Sequence, residues 1–147
     1  MARDFQARPT RGPVTRPRSR SGGAINAILV VDDSAAIRQL LQATLQAGGF
    51  EVIATADGAA ALAFLRESRV DLVVTDINMP HMDGIQLIEH VRRDPGHAAV
   101  PILVLSGESG RAERDRATAA GASAWLSKPF TVAKLLSAIR RLEAGKG

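Results

Sequence analysis

Five polar residues stand at the ends of four short apolar runs. Asp32 and Asp33 follow Ile28-Leu-Val-Val31, Asp76 follows Leu72-Val-Val-Thr75, Ser106 follows Ile102-Leu-Val-Leu105, and Lys128 follows Ala124-Trp-Leu-Ser127. Three carboxylates, a hydroxyl and an ammonium are the groups that handle magnesium and a phosphoryl group. An aspartate at a strand end can act as a nucleophile and form an acyl phosphate. Adjacent aspartates near a third carboxylate repel one another, and a divalent cation relieves that repulsion. Magnesium takes oxygen ligands, a few carboxylates among them, and keeps several waters. A lysine nearby can pair with a phosphoryl oxygen.

Each residue also has a plainer reading. Asp76 could cap a helix or close an Asx turn. Asp33 could cap the helix that follows it, although Ser34 competes for that role. Ser106 could simply begin a loop, and Lys128 could be a solvated side chain. Pro129 after Lys128 favours a sharp, fixed exit, for which a cis bond is one solution. The joint pattern is what favours chemistry, because every strand end suits the same reaction.

For these residues to meet, the runs must lie side by side. Unbroken β-branched runs bounded by turn residues read as strands buried on both faces of a parallel sheet. The expected strands are 27–31, 50–54, 72–76, 102–106 and 124–128. Helices are expected over about 34–47, 57–67, 84–93, 109–120 and 131–143. Strict βα alternation implies right-handed crossovers and helices on both faces. Ligands of such open sheets bind beyond the carboxyl ends of the strands, so Asp32, Asp33, Asp76, Ser106 and Lys128 should share one edge. His81, His90 and His97 show no ligand spacing and read as surface residues.

At 147 residues, with 46% hydrophobic and 23% charged side chains, the chain has the size and composition of one globular domain. The net charge of +4 is unevenly placed. Residues 1–27 hold six arginines and one aspartate, whereas the other 120 hold 13 basic and 14 acidic side chains. Residues 1–24 combine Arg, Pro, Gly and Ser without apolar periodicity and read as a disordered basic tail; residues 25–147 read as the folded domain. No stretch is long and apolar enough for a membrane span, and no signal-peptide core opens the chain. There are no cysteines, which fits a cytoplasmic setting.

The chain from Ala27 to about Leu142 resembles a response-regulator receiver domain, most closely the single-domain chemotaxis regulators of the CheY type. The likeness is carried by Val30-Val-Asp-Asp-Ser34, Thr75-Asp-Ile-Asn-Met-Pro-His-Met-Asp-Gly84, Leu105-Ser106 and Ser127-Lys-Pro-Phe130. It implies a doubly wound (βα)5 α/β fold with flavodoxin-like strand order 2-1-3-4-5. It implies Asp76 as phosphoacceptor, with Asp32, Asp33, Asp76 and the backbone carbonyl of Asn78 as magnesium ligands. Lys128 would contact the phosphoryl group, and Ser106 would couple its arrival to the output face. Asn78 and Glu108 would tune phosphoryl lifetime. Trp125 would hold the switch-aromatic position or, on the plainer reading, only pack against the fourth helix. The context Gly121-Ala-Ser-Ala-Trp-Leu-Ser-Lys-Pro-Phe130 leans toward chemotaxis.

The resemblance further implies a switch rather than a turnover enzyme, one that promotes its own phosphorylation and dephosphorylation. Its phosphodonor would be a sensor histidine kinase or phosphotransfer protein. With the chain ending at Gly147, output is expected through a protein target on the fourth helix, fifth strand and fifth helix. One rival is a phosphohydrolase of the haloacid-dehalogenase type, which usually has a second acid two residues after its nucleophile; here that residue is Asn78. Another is a receiver from a phosphorelay outside chemotaxis. A third is a receiver whose arginine tail binds nucleic acid in a salt-sensitive way.

Overall fold

The computed structural model describes residues 24–107 and 110–146. Residues 1–23 of the basic tail and Glu108 lie outside the described residues. In chain order the elements are β1 (Ala27–Val31), α1 (Ala35–Ala47), β2 (Glu51–Thr55), α2 (Gly58–Glu67), β3 (Leu72–Asp76) and α3 (Gly84–Arg93). A 3-10 turn (Pro95–His97), β4 (Ile102–Ser106), α4 (Arg111–Ala120), β5 (Ala124–Ser127) and α5 (Val132–Lys146) complete them.

The five strands form one parallel sheet in the order β2-β1-β3-β4-β5. This is the expected 2-1-3-4-5. Its register runs straight through the centre, with Val30 beside Val74 and Val74 beside Leu103. Successive side chains of a strand point to opposite faces, and here both faces are covered. Leu29, Val31, Val73, Ile102 and Val104 join α2, α3 and α4 through Leu65, Ile88, Val91 and Ala117. Ile28, Val30, Leu72, Val74, Leu103 and Leu105 join α1 and α5 through Leu41, Leu45, Leu135 and Ile139. Burying each such side chain stabilises the fold by about 1.5–3 kcal/mol. The covering on two sides explains why β1, β3 and β4 read as unbroken apolar runs.

Most departures from the sequence expectation are at element ends. Ser34, not Asp33, caps α1: its Oγ accepts from the Ile37 N–H at 3.3 Å. Asp33 is thereby left for other work. β2 begins at Glu51 rather than residue 50, α4 begins at Arg111, and β5 ends at Ser127, which leaves Lys128 just outside the strand. One expectation was wrong in kind. His81 and His90 are exposed, but His97 is buried. Asp94 folds the turn back by accepting from the Gly96 N–H, and its other carboxylate oxygen meets His97 Nδ1 at 3.0 Å.

Candidate functional site

The carboxyl ends of β1, β3, β4 and β5 bring the expected residues to one sheet edge. Asp76 is the last residue of β3 and pairs in register with Leu105; Ser106 is the last of β4 and pairs with Ser127. The Lys128 N–H donates to the Ser106 carbonyl at 2.8 Å, so the exit from β5 is tied to the end of β4. The Lys128–Pro129 peptide is cis. Lys128 Nζ lies 3.3 Å from Asp32 Oδ2 and 3.6 Å from Asp76 Oδ1. One ammonium thus bridges two carboxylates that are 96 and 52 residues away in the chain.

Asp32 is 1% exposed and Asp76 7%. Both are therefore costly to leave charged without partners. Asp32 Oδ1 accepts from the Ser34 N–H at 2.9 Å, its N–H donates to the Thr55 carbonyl at 3.2 Å, and its carbonyl accepts from Arg38 Nη1 at 2.7 Å. Asp76 Oδ1 accepts from the Ile77 N–H at 2.8 Å. Burial pushes the Asp76 carboxyl above its ordinary range; Lys128 opposes the rise, Asp32 adds to it, and the Ile77 and Asn78 N–H groups oppose it. An acid held up in this way is stabilised as an anion by any cation that arrives.

Asp33 is exposed, and oxygens from Asp32, Asp33 and Asp76 all lie within 4.8 Å of one another. Three hard oxygen donors, one of them open to water, fit a magnesium ion that keeps part of its hydration shell. Asn78 is exposed in the loop after Asp76. That loop is tightly built. The Met82 N–H donates to the Pro80 carbonyl at 2.8 Å across His81, whose φ is 70°. A Cβ on Gly84 would collide with the Asp76 carbonyl oxygen and the Ile77 Cα. Only glycine lets α3 begin this close to the backbone of Asp76.

Ser106 is fully buried and continues the alternation of Ile102 and Val104, so it lies on the α4 side of the sheet. Trp125 pairs with Val104 and packs into the same cluster. The two residues are therefore diagonal neighbours on adjacent strands. The indole is half-buried, its buried Nε1 has no hydrogen-bond partner among the described residues, and the Arg114 guanidinium lies 5.7 Å from the ring centre. Sequence reasoning missed Arg38. Its signal was its place one turn beyond the Ser34 cap, on the side of α1 that returns to the loop.

Known proteins provide an independent view of this edge. A family profile described as the response regulator receiver domain matches residues 28–140. The chain is 38% identical over 120 residues to the transcriptional regulatory protein PrrA of Mycobacterium tuberculosis, covering 82% of this chain and 51% of PrrA. It therefore spans about half the length of that regulator. It is also 38% identical over 113 residues to the probable chemotaxis protein CheY of Rhizobium etli, covering 76% of this chain and 88% of that protein. Among solved structures, the chemotaxis protein CheY4 of Vibrio cholerae superposes with a TM-score of 0.78 at 39% identity, over 81% of this chain and 99% of CheY4. The receiver domain of the sensor histidine kinase PA1611 from Pseudomonas aeruginosa superposes at 0.76 with 28% identity, over 82% of this chain and 99% of that domain. That structure has a magnesium ion coordinated in its active-site cleft.

Proposed function

This chain belongs to the response-regulator receiver family, and from that premise we propose that Asp76 is its phosphoacceptor and that phosphorylation changes its affinity for a protein partner. Receiver domains are signalling switches whose phosphodonor is a histidine kinase or phosphotransfer protein. The observation that carries the proposal is the buried Asp76 carboxylate, raised in pKa and bridged through Lys128 to Asp32 beside the exposed Asp33. In the transfer, an Asp76 oxygen attacks the phosphorus of a phosphohistidine. The P–N bond breaks, the imidazole departs, and an acyl phosphate remains. Asp32, Asp33, Asp76 and the Asn78 carbonyl would hold magnesium, whose charge offsets that of the incoming phosphoryl group. Lys128, already within reach of Asp76, pairs with a phosphoryl oxygen once it is in place. The switch later hydrolyses its own acyl phosphate, with Asn78 and Glu108 setting the lifetime.

Incubation with acetyl phosphate, followed by intact-mass measurement, tests the acceptor chemistry. We expect one added phosphoryl group with magnesium and none in chelator. Modification that ignores chelator would remove the metal from the proposal.

Coupling to the output face runs through the neighbours on the α4 side. If Ser106 is drawn toward a phosphoryl group on Asp76, space opens that the Trp125 indole can enter, and α4 presents a different surface. Trp125 is the chain's only tryptophan, so its emission reports the step directly. Titrating beryllofluoride and magnesium should shift the emission to the blue in wild type and much less in Ser106→Ala. An unchanged wild-type spectrum at confirmed occupancy would leave Trp125 a packing residue.

The finer assignment we favour is chemotaxis-type signalling by contact through α4, β5 and α5. It is supported by the sequence around Trp125 and by a likeness that takes in most of a CheY protein. A receiver of another phosphorelay is the second reading, favoured by the equal identity to PrrA. Binding of the basic tail to nucleic acid would show as a salt-sensitive affinity for DNA that is absent after its removal. Among the described residues no helix is long and apolar enough to cross a membrane, and we place the switch in the cytoplasm.

A further inference from the structure

The acidic pair sits in a very short connection. β1 ends at Val31 and α1 begins at Ala35, so only residues 32–34 separate strand from helix. Within it the side chain of Asp32 is held at both oxygens, by the Ser34 N–H and by Lys128. Asp33 is different: among the described residues its exposed carboxylate has no hydrogen-bond or ion-pair partner. Nothing but the loop backbone aims it. Among the described residues the peptide between Asp32 and Asp33 is fixed in turn by one contact, from Arg38 Nη1 to the Asp32 carbonyl at 2.7 Å. Arg38 is half-buried on α1, and its own N–H donates to the Ser34 carbonyl at 3.0 Å. The residue therefore spans the connection from the helix back to its first member. A charge-assisted hydrogen bond of this length is among the stronger local restraints a protein can make.

We propose that Arg38 is a positioning residue for the divalent-cation site. It orients the Asp32–Asp33 peptide so that the Asp33 carboxylate meets those of Asp32 and Asp76 before any cation arrives. The inference rests on the magnesium reading above and adds to it a residue that touches neither the cation nor the phosphoryl group. Partners that orient ligands from behind typically change metal affinity by about 10–100-fold when removed. A role as a mere positive charge has the opposite sign. Deleting a cation that contacts the Asp32 carbonyl, beside the acidic pair, would draw magnesium in more tightly, by about two- to fivefold for a half-exposed group in water. Geometry and charge thus give opposite signs in a single measurement.

The test is calorimetric titration of magnesium into wild-type protein, Arg38→Met and Arg38→Lys, with melting in chelator as the control for folding. We expect Arg38→Met to bind magnesium about tenfold more weakly at a melting temperature close to wild type. Arg38→Lys keeps the charge but lacks the rigid planar fork, so it too should bind more weakly; it also serves should the methionine variant fail to fold. Amide exchange at Ser34, whose N–H donates to Asp32 Oδ1, should quicken in the metal-free variants as the loop loosens. Equal or tighter magnesium binding in a folded variant overturns the positioning role and leaves the proposed function standing. Failure of wild type itself to bind magnesium removes both.

Discussion

Asp76→Asn will take up no phosphoryl group from acetyl phosphate, while wild type gains one in the presence of magnesium. Three aspartates share this edge, and the structure separates them by what each oxygen is doing. Asp32 is buried with both oxygens engaged, by the Ser34 N–H and Lys128. Asp33 is exposed, where water screens any gain from neighbouring charge. Asp76 is buried at the end of β3, with the Ile77 N–H and Lys128 on its Oδ1 and the Asn78 N–H also acting on its carboxylate. An amide at this position keeps the shape but loses the anionic nucleophile, so the expected loss is complete rather than partial. The carboxylate form is needed for attack, and burial raises the Asp76 pKa. At limiting magnesium, labelling of wild type should therefore fade on acidification at a higher pH than an ordinary aspartate would give. Equal labelling of wild type and Asp76→Asn by intact mass would move the acceptor elsewhere.

The strand ends were readable because burial on both faces leaves little freedom in what a central strand can contain. β1, β3 and β4 are buried almost throughout, so a polar residue ending such a run stands out. The edge strands β2 and β5 are only partly buried, and it is there that the expected limits slipped by one residue. The competition between Asp33 and Ser34 for the α1 cap could not be decided from composition, since both side chains suit the role. His97 was misjudged because its burial depends on Asp94 turning the chain back upon it, a contact that an isolated histidine in a polar turn does not announce. Arg38 was silent for a related reason. Its partner is a backbone carbonyl, which leaves no complementary side chain in the sequence to pair it with. The convergence of Lys128 with Asp32 and Asp76 was legible because the rule for parallel sheets concerns strand ends, whatever the distance between them in the chain.

Lys128→Met should lower the melting temperature in chelator, and the deficit should depend on pH. Lys128 is the one ammonium within 4 Å of Asp32 and Asp76 among the described residues. Removing it leaves two buried carboxylates facing each other. Breaking a fully buried pair costs about 3–5 kcal/mol. Lys128 is 21% exposed, so solvent screening reduces that to about 2 kcal/mol, or a fall of roughly 5 °C for a domain of this size. The sign of the pH dependence follows from Asp76. Its folded pKa is already raised by burial and by Asp32, and Lys128 is the main opposing influence. An acid whose pKa is raised on folding contributes stability that is fully present below its unfolded pKa and is lost as pH rises through the folded value. Without Lys128 the folded value moves higher still, so the variant loses more over a wider span. Wild type and variant should thus differ least below the ordinary aspartate range, where Asp76 is protonated in both, and diverge as pH rises beyond it. Magnesium should recover part of the difference at pH 8, because it brings positive charge back to the same carboxylates. A deficit of the same size at every pH would mean that Lys128 supports this edge by packing its alkyl chain, and its electrostatic role toward Asp76 would have to be abandoned.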